Sequence, residues 1–157
     1  MIIRGAGPRP AAASQAALLL AILIAAVPLR AGLQPAKAEP DLGKRAMLAL
    51  DNAFNALTQA RDAYTKGENA QVETFTKEIQ ESVALAETSL HETGKNPRKS
   101  PKWFKRAEGS TRDLLRRLDA FQRAMDATDR PMLDAVKAKV QQVHDDLLEG
   151  VLEGKQK

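Results

Sequence analysis

The chain reads as an all-α protein, an antiparallel four-helix bundle after an N-terminal signal peptide, and three observations carry that expectation. Apolar residues recur at alternating spacings of three and four along four separate segments, which is the seam of a helix packed in a bundle. No segment alternates apolar and polar residues over a useful length, so no sheet is expected. The composition is rich in Ala, Leu, Lys, Glu, Arg and Gln and poor in glycine and β-branched runs, which favours helices.

The first 38 residues stand apart from this pattern. Arg4 and Arg9 precede an apolar run from Ala16 to Leu29, and Ala36-Lys37-Ala38 forms a small-x-small cleavage signature just before Glu39. Basic, then apolar, then small is the order of a secretory signal peptide. The chain is therefore expected to be cut after Ala38 and to work in the periplasm or outside the cell. Pro28 interrupts the apolar run, which falls short of the roughly 20 residues a spanning helix needs. An uncleaved N-terminal anchor is the alternative, and no stable transmembrane segment is expected after cleavage. The chain has no cysteine, which excludes a lipid-modified N-terminal cysteine, disulfides, thiolate metal sites, covalent haem attachment and cysteine nucleophiles.

Of the 24 basic residues, four (Arg4, Arg9, Arg30 and Lys37) lie in the leader, which holds no acid. The 119 residues from 39 to 157, expected to form one bundle domain, thus carry 20 bases and 20 acids. The balance is uneven along the chain. Residues 39–94 hold 10 acids and 5 bases, residues 95–125 hold 3 acids and 10 bases, and residues 126–157 hold 7 acids and 5 bases. One strongly basic segment therefore lies between acidic neighbours.

The first helix is expected at about 41–65, with Met47, Leu50, Phe54, Leu57 and Tyr64 on its seam and Arg61 interrupting it. Ala46, Ala53 and Ala60 form a seven-residue ladder beside the seam, and Ala49, Ala56 and Ala63 form a second. Small side chains at these positions let a neighbouring backbone approach closely. Gly67 closes this helix in the manner of a glycine just past a C-terminus. The second, at about 69–92, uses Val72, Phe75, Ile79, Val83, Ala86 and Leu90, and Gly94 stops it.

Ser100-Pro101 opens the third helix, at about 101–126, with a capping hydroxyl and a proline at the first helical position. Its seam is Phe104, Ala107, Thr111, Leu114, Leu118, Phe121 and Met125. Gly109-Ser110 falls inside it, so one kinked helix is expected and two shorter ones are the alternative. The fourth, at about 130–149, starts from Thr128 or Asp129 with Pro131 and uses Leu133, Val136, Val140, Val143 and Leu147; Gly150 and Gly154 are expected to fray its end. Short loops favour an up-down-up-down bundle, with two stacked helical hairpins as the alternative.

The basic segment is the one feature with a functional character. Arg98, Lys99, Lys102 and Lys95 line the loop and helix start beside Trp103, while Lys105, Arg106, Arg112, Arg116 and Arg123 fall opposite the Phe104–Met125 seam. A helix N-terminus adds free N–H groups and a positive dipole end. Together these suit an anionic envelope component or an acidic protein surface. The plainer reading is a solvated face with local pairs, Glu108 to Arg112 and Asp113 to Arg117 being at good spacing. Export and zero net charge argue against nucleic acid.

Other chemistries find less support. His91 ends the second helix, where it can meet the last carbonyls. His144-Asp145-Asp146 point to different sides of one helix, with no second histidine three or four residues away. The Glu-x-x-His pattern of di-iron bundles is absent, since Gln141 stands three before His144. Met125 and Met132 alone make a poor copper(I) site. No serine sits in a Gly-x-Ser-x-Gly or Ser-x-x-Lys setting, so no enzyme activity, metal or cofactor is expected. Arg61 is expected to lay its stem on apolar surface with its head in water, or else to pair with Glu73 or Glu78.

The run from Gly94 to Leu118, with Val143 to Gly150 near the end, resembles an uncharacterised bacterial family of small exported helical proteins. The resemblance covers roughly the second half of the domain and implies a helical exported protein, with no activity to transfer. The Leu-Thr-x-x-Gln signature of small periplasmic stress chaperones is not met, because Arg61 ends Leu57-Thr58-Gln59-Ala60-Arg61 where the second glutamine belongs. The expected role is non-enzymatic binding or envelope structure through the basic face of the third helix. The alternative is a periplasmic chaperone-like module that uses apolar grooves.

Overall fold

The computed structural model describes residues 32–152. The apolar run Ala16–Leu29, the rest of the expected leader up to residue 31, and Gly154 lie outside the described residues. Within them the order is α1 (Gln34–Ala38), α2 (Leu42–Thr65), α3 (Asn69–Glu92), α4 (Pro101–Ala124), a 3-10 turn (Arg130–Leu133) and α5 (Asp134–Leu152). The four long elements are the four expected from the seams, and no strand occurs among the described residues.

The punctuation explains the ends. Asp41 caps α2, its Oδ1 accepting the Lys44 N–H at 2.9 Å. Gly67 and Gly94 follow α2 and α3 with φ of 74° and 59°, a left-handed conformation that glycine adopts without a Cβ penalty. Pro101 opens α4, but the Ser100 hydroxyl makes no cap bond. The preceding turn is organised by Asn96 instead: its carbonyl accepts the N–H of Lys99 and Ser100 and its side chain accepts the N–H of Arg98. That turn leaves Ser100 at ψ 62°, away from the extended backbone of a capping serine.

Helix α4 runs unbroken through Gly109 and Ser110. An added Cβ at Gly109 would meet nothing closer than Arg112 Nη2, at 3.9 Å. Gly109→Ala is therefore expected to stabilise the protein by about 0.5–1 kcal/mol, the helix-propensity gain. Urea denaturation checks this, and a lower midpoint would contradict it.

Consecutive long helices run in opposite directions, yet α4 lies beside α2 rather than α3. The neighbouring pairs are α2 with α3, α4 with α5, α2 with α4, and α3 with α5, with α3 and α4 making only slight contact. Helices α2 and α4 are parallel, since Trp103 at the start of α4 lies on Gly43 at the start of α2, and Tyr64 at the end of α2 bonds to Asp126 and Asp129 beyond the end of α4. The most extensive contact is between α2 and α3. Both alanine ladders of α2 are buried there or in the core around it, as close helix approach requires. Asn52 Nδ2 donates across to Glu78 Oε1 and Ser82 Oγ at 2.9 and 3.0 Å. One core cluster joins all the helices, including Ile79, Leu114, Leu118, Leu133 and Val140.

The packed part of the chain starts earlier than residue 39. Leu33 and Ala36 are buried in that core cluster, and α1 lies against α2. The Ala36-Lys37-Ala38 motif thus forms one turn of helix, and Arg45 Nε donates to the Glu39 carbonyl just after it.

At the other end, Asp129 does not cap α5. Its carboxylate accepts the Tyr64 hydroxyl at 3.0 Å, and the phenolic oxygen accepts the Asp126 N–H at 2.9 Å. Pro131 consequently opens a 3-10 turn, and α5 begins at Asp134. The Asp126 N–H favours the phenolate of Tyr64, but desolvation and the nearby Asp129 and Asp126 carboxylates outweigh it and raise the pKa. Gly150 does not fray: α5 continues to Leu152, with Gly150 packed toward Pro97.

The Asp41 cap has a pH signature. The Lys44 N–H bond, partly offset by desolvation and aided by the Lys44 charge, holds its carboxyl below the ordinary 3.8. A depressed folded pKa gives stability that is complete above the unfolded value and is lost as pH falls through the folded one. The melting-temperature gap between the native chain and Asp41→Ala is expected to shrink below pH 3.8. A gap that widens in acid would contradict this.

Candidate functional site

The periodicity that buries Phe104, Ala107, Thr111, Leu114, Leu118 and Phe121 turns the opposite side of α4 to solvent. Lys102, Lys105, Arg106, Arg112, Arg116 and Arg123 are all exposed there, and Lys95, Arg98 and Lys99 are exposed in the loop before it. The expected basic face therefore exists as a surface.

Its charges are not equivalent. Arg112 pairs with Glu108 at 3.5 Å, as spacing suggests. Asp113 pairs with Arg116 at 3.1 Å rather than with Arg117. The reason lies in another helix: the Arg117 guanidinium stands over the Phe54 ring of α2, 5.1 Å from its centroid, and that cation–π contact draws it away from its own turn. Arg61 behaves similarly, its guanidinium 6.0 Å from the Phe121 centroid and unpaired with Glu73 or Glu78. Lys99, Lys102, Lys105 and Arg106 make no ion pair among the described residues. Lys102 Nζ instead lies 4.8 Å from the Trp103 ring centroid.

Trp103 is the hinge of the site. Its indole lies flat against Gly43, where a Cβ would stand 2.7 Å from Trp103 Cδ1 and closer still to Nε1 and Cε2. Only glycine in the first turn of α2 admits the ring. Beside it runs a groove of about 250 Å³ lined by Glu39, Lys44, Met47, Leu48, Trp103 and Arg106. Leu48 is 39% exposed, one of two large apolar side chains left open to solvent among the described residues. The parallel arrangement of α2 and α4 places both helix N-termini at this end, adding positive partial charge.

Gly43, Lys44 and Leu48 escape a reading of the sequence, because the contact that makes them a site is made with a residue sixty positions away. The one local signal is the glycine itself, which sits inside a helix where no turn needs it.

A second cavity, about 230 Å³, lies among the ends of α3 and α5 and the loop before α4, with His91, Lys95, Phe104 and Asp146 on its wall. Among the described residues His91 makes no hydrogen bond to a helix carbonyl; the Thr93 hydroxyl donates to the Leu90 carbonyl instead. His144 Nδ1 lies 3.1 Å from the buried Thr111 hydroxyl, which is itself within reach of the Ala107 and Glu108 carbonyls. This contact with a buried hydroxyl ties His144 to the packing of α5 on α4. Among the described residues no three histidine or carboxylate side chains stand together as a metal site. No described helix is long and apolar enough to cross a membrane.

No family model, no curated protein and no solved structure matches this chain.

Proposed function

We propose that this protein is an exported, non-enzymatic binding module that engages an anionic envelope component through the exposed face of α4. The observation that carries this is the run of Lys99, Lys102, Lys105 and Arg106, solvent-exposed and outside any ion pair among the described residues. Arg112 and Arg116 have carboxylate partners on their own helix, whereas these four leave their charge available to an anionic partner. Phosphate-bearing lipid or polymer is the favoured partner class, and an acidic protein surface has the same sign of charge.

The test uses the full chain with polyphosphate and with phosphatidylglycerol vesicles as probes. Lys99→Glu, Lys102→Glu and Lys105→Glu together are expected to abolish binding to both while leaving the thermal melt near that of the native chain, because all three side chains are exposed. Undiminished binding by this triple variant would overturn the reading.

A chaperone-like module using an apolar groove is the second reading, and the exposure of Leu48 beside Trp103 favours it. Phe75 takes no part in such a groove, because it is a buried core residue. This reading expects the triple reversal to leave function intact and Trp103 substitutions to abolish it.

A further inference from the structure

The groove at the paired starts of α2 and α4 combines three properties that the rest of the basic face lacks. It has cations on its rim, Lys44 from α2 and Arg106 from α4. It has an apolar floor and lip, Met47 and the 39%-exposed Leu48. Between them lies an indole whose Nε1–H has no acceptor among the described residues. Leu48 and the part-buried Trp103 thus set apolar surface directly between two cations, so the groove offers a partner both charge and apolar contact. A free phosphate would use the cations and leave Leu48 in water. An apolar peptide would cover Leu48 and leave Lys44 and Arg106 without a counter-charge.

The geometry points to an anionic phospholipid surface as the partner of this groove. Headgroup phosphates meet Lys44 and Arg106, the indole sits at headgroup depth with its N–H toward phosphate or ester oxygen, and Leu48 enters the acyl boundary. Tryptophan and leucine with flanking cations are the side chains suited to that interface. Gly43 sets the depth by letting the ring lie flat on α2. Glu39, on the same rim, is occupied locally: its Oε1 accepts the Asp41 N–H at 3.0 Å, which keeps one carboxylate turned to its own backbone. The proposal rests on the reading of α4 as an anion-binding face and names where on that face the membrane is touched.

Trp103 is the protein's only tryptophan, so its emission reports this groove and nothing else. The full chain is titrated with vesicles of phosphatidylglycerol and phosphatidylcholine, with pure phosphatidylcholine vesicles, and with soluble glycerol phosphate; the apolar N-terminal run is the same in every variant compared. A blue shift, together with quenching by brominated acyl chains, is expected on the anionic vesicles alone. Lys44→Gln with Arg106→Gln is expected to weaken the titration roughly fivefold for each cation removed. Leu48→Ser is expected to remove the blue shift while leaving salt-sensitive adsorption, and circular dichroism confirms that each variant is folded. Salt-sensitive adsorption without any change at Trp103 would overturn the groove as the contact and leave the basic-face reading standing. An equal shift on pure phosphatidylcholine or with glycerol phosphate would overturn it as well. Absence of binding to any anionic probe would sink both.

Discussion

Leu118→Ala is expected to destabilise the protein by about 2–5 kcal/mol, the range for removing a buried leucine and leaving a cavity. Leu118 is fully buried, on the α4 seam between Leu114 and Phe121 and inside the single core cluster. With no cysteine in the chain, packing carries the fold without a covalent brace. Domains of this size have net stabilities of about 5–15 kcal/mol, so this one truncation removes a large share. Urea denaturation followed by circular dichroism checks it, with the midpoint falling and the slope unchanged. A loss under about 1 kcal/mol would mean that the α4 seam is not a close-packed core.

Gly43→Ala is expected to destabilise by about 1–3 kcal/mol, the usual cost of overpacking, and to displace Trp103. Helix propensity alone argues the other way, since alanine in a helix is favoured over glycine by about 1 kcal/mol. The contact decides the sign: the new methyl would stand 2.7 Å from Trp103 Cδ1 and inside contact distance of two further ring atoms. A planar ring held at its own Cα cannot yield as a flexible chain end would. Emission of the single tryptophan is expected to shift to the red as the ring leaves its seat. Gly109→Ala, on the open side of α4, provides the internal comparison. Two helical glycines with opposite outcomes separate local propensity from tertiary contact, and a stabilised Gly43→Ala with unchanged emission would refute the seat.

These two glycines also show what a sequence discloses. The ends of α2 and α3 are legible because Gly67 and Gly94 supply a backbone conformation that other residues resist, and the start of α4 because Pro101 cannot sit deeper in a helix. The alanine ladders and the seams are legible because helical period maps directly onto burial. The 3-10 turn at Arg130–Leu133 is not, since proline opens either kind of helix and the deciding event is the loss of Asp129 to a tyrosine on α2. Helix α1 is not, because a small-x-small triplet suits a cleavage site and a packed helical turn equally well. The basic face is legible as a segment of like charge, but the choice of Arg116 over Arg117 as the partner of Asp113 is not, because it turns on Phe54 of α2 holding Arg117. The groove was closed to it, being assembled from two distant helix starts.

Salt titration of full-chain binding to polyphosphate and to anionic vesicles tests the central claim most directly. Pairing between exposed cations and phosphate is screened over roughly 10 Å at 0.1 M ionic strength, so affinity is expected to fall steeply as salt rises, with no binding by the Lys99, Lys102 and Lys105 reversal variant even at low salt. Affinity that is indifferent to salt, or identical in that variant, would contradict the claim that the open face of α4 is where this protein meets its partner.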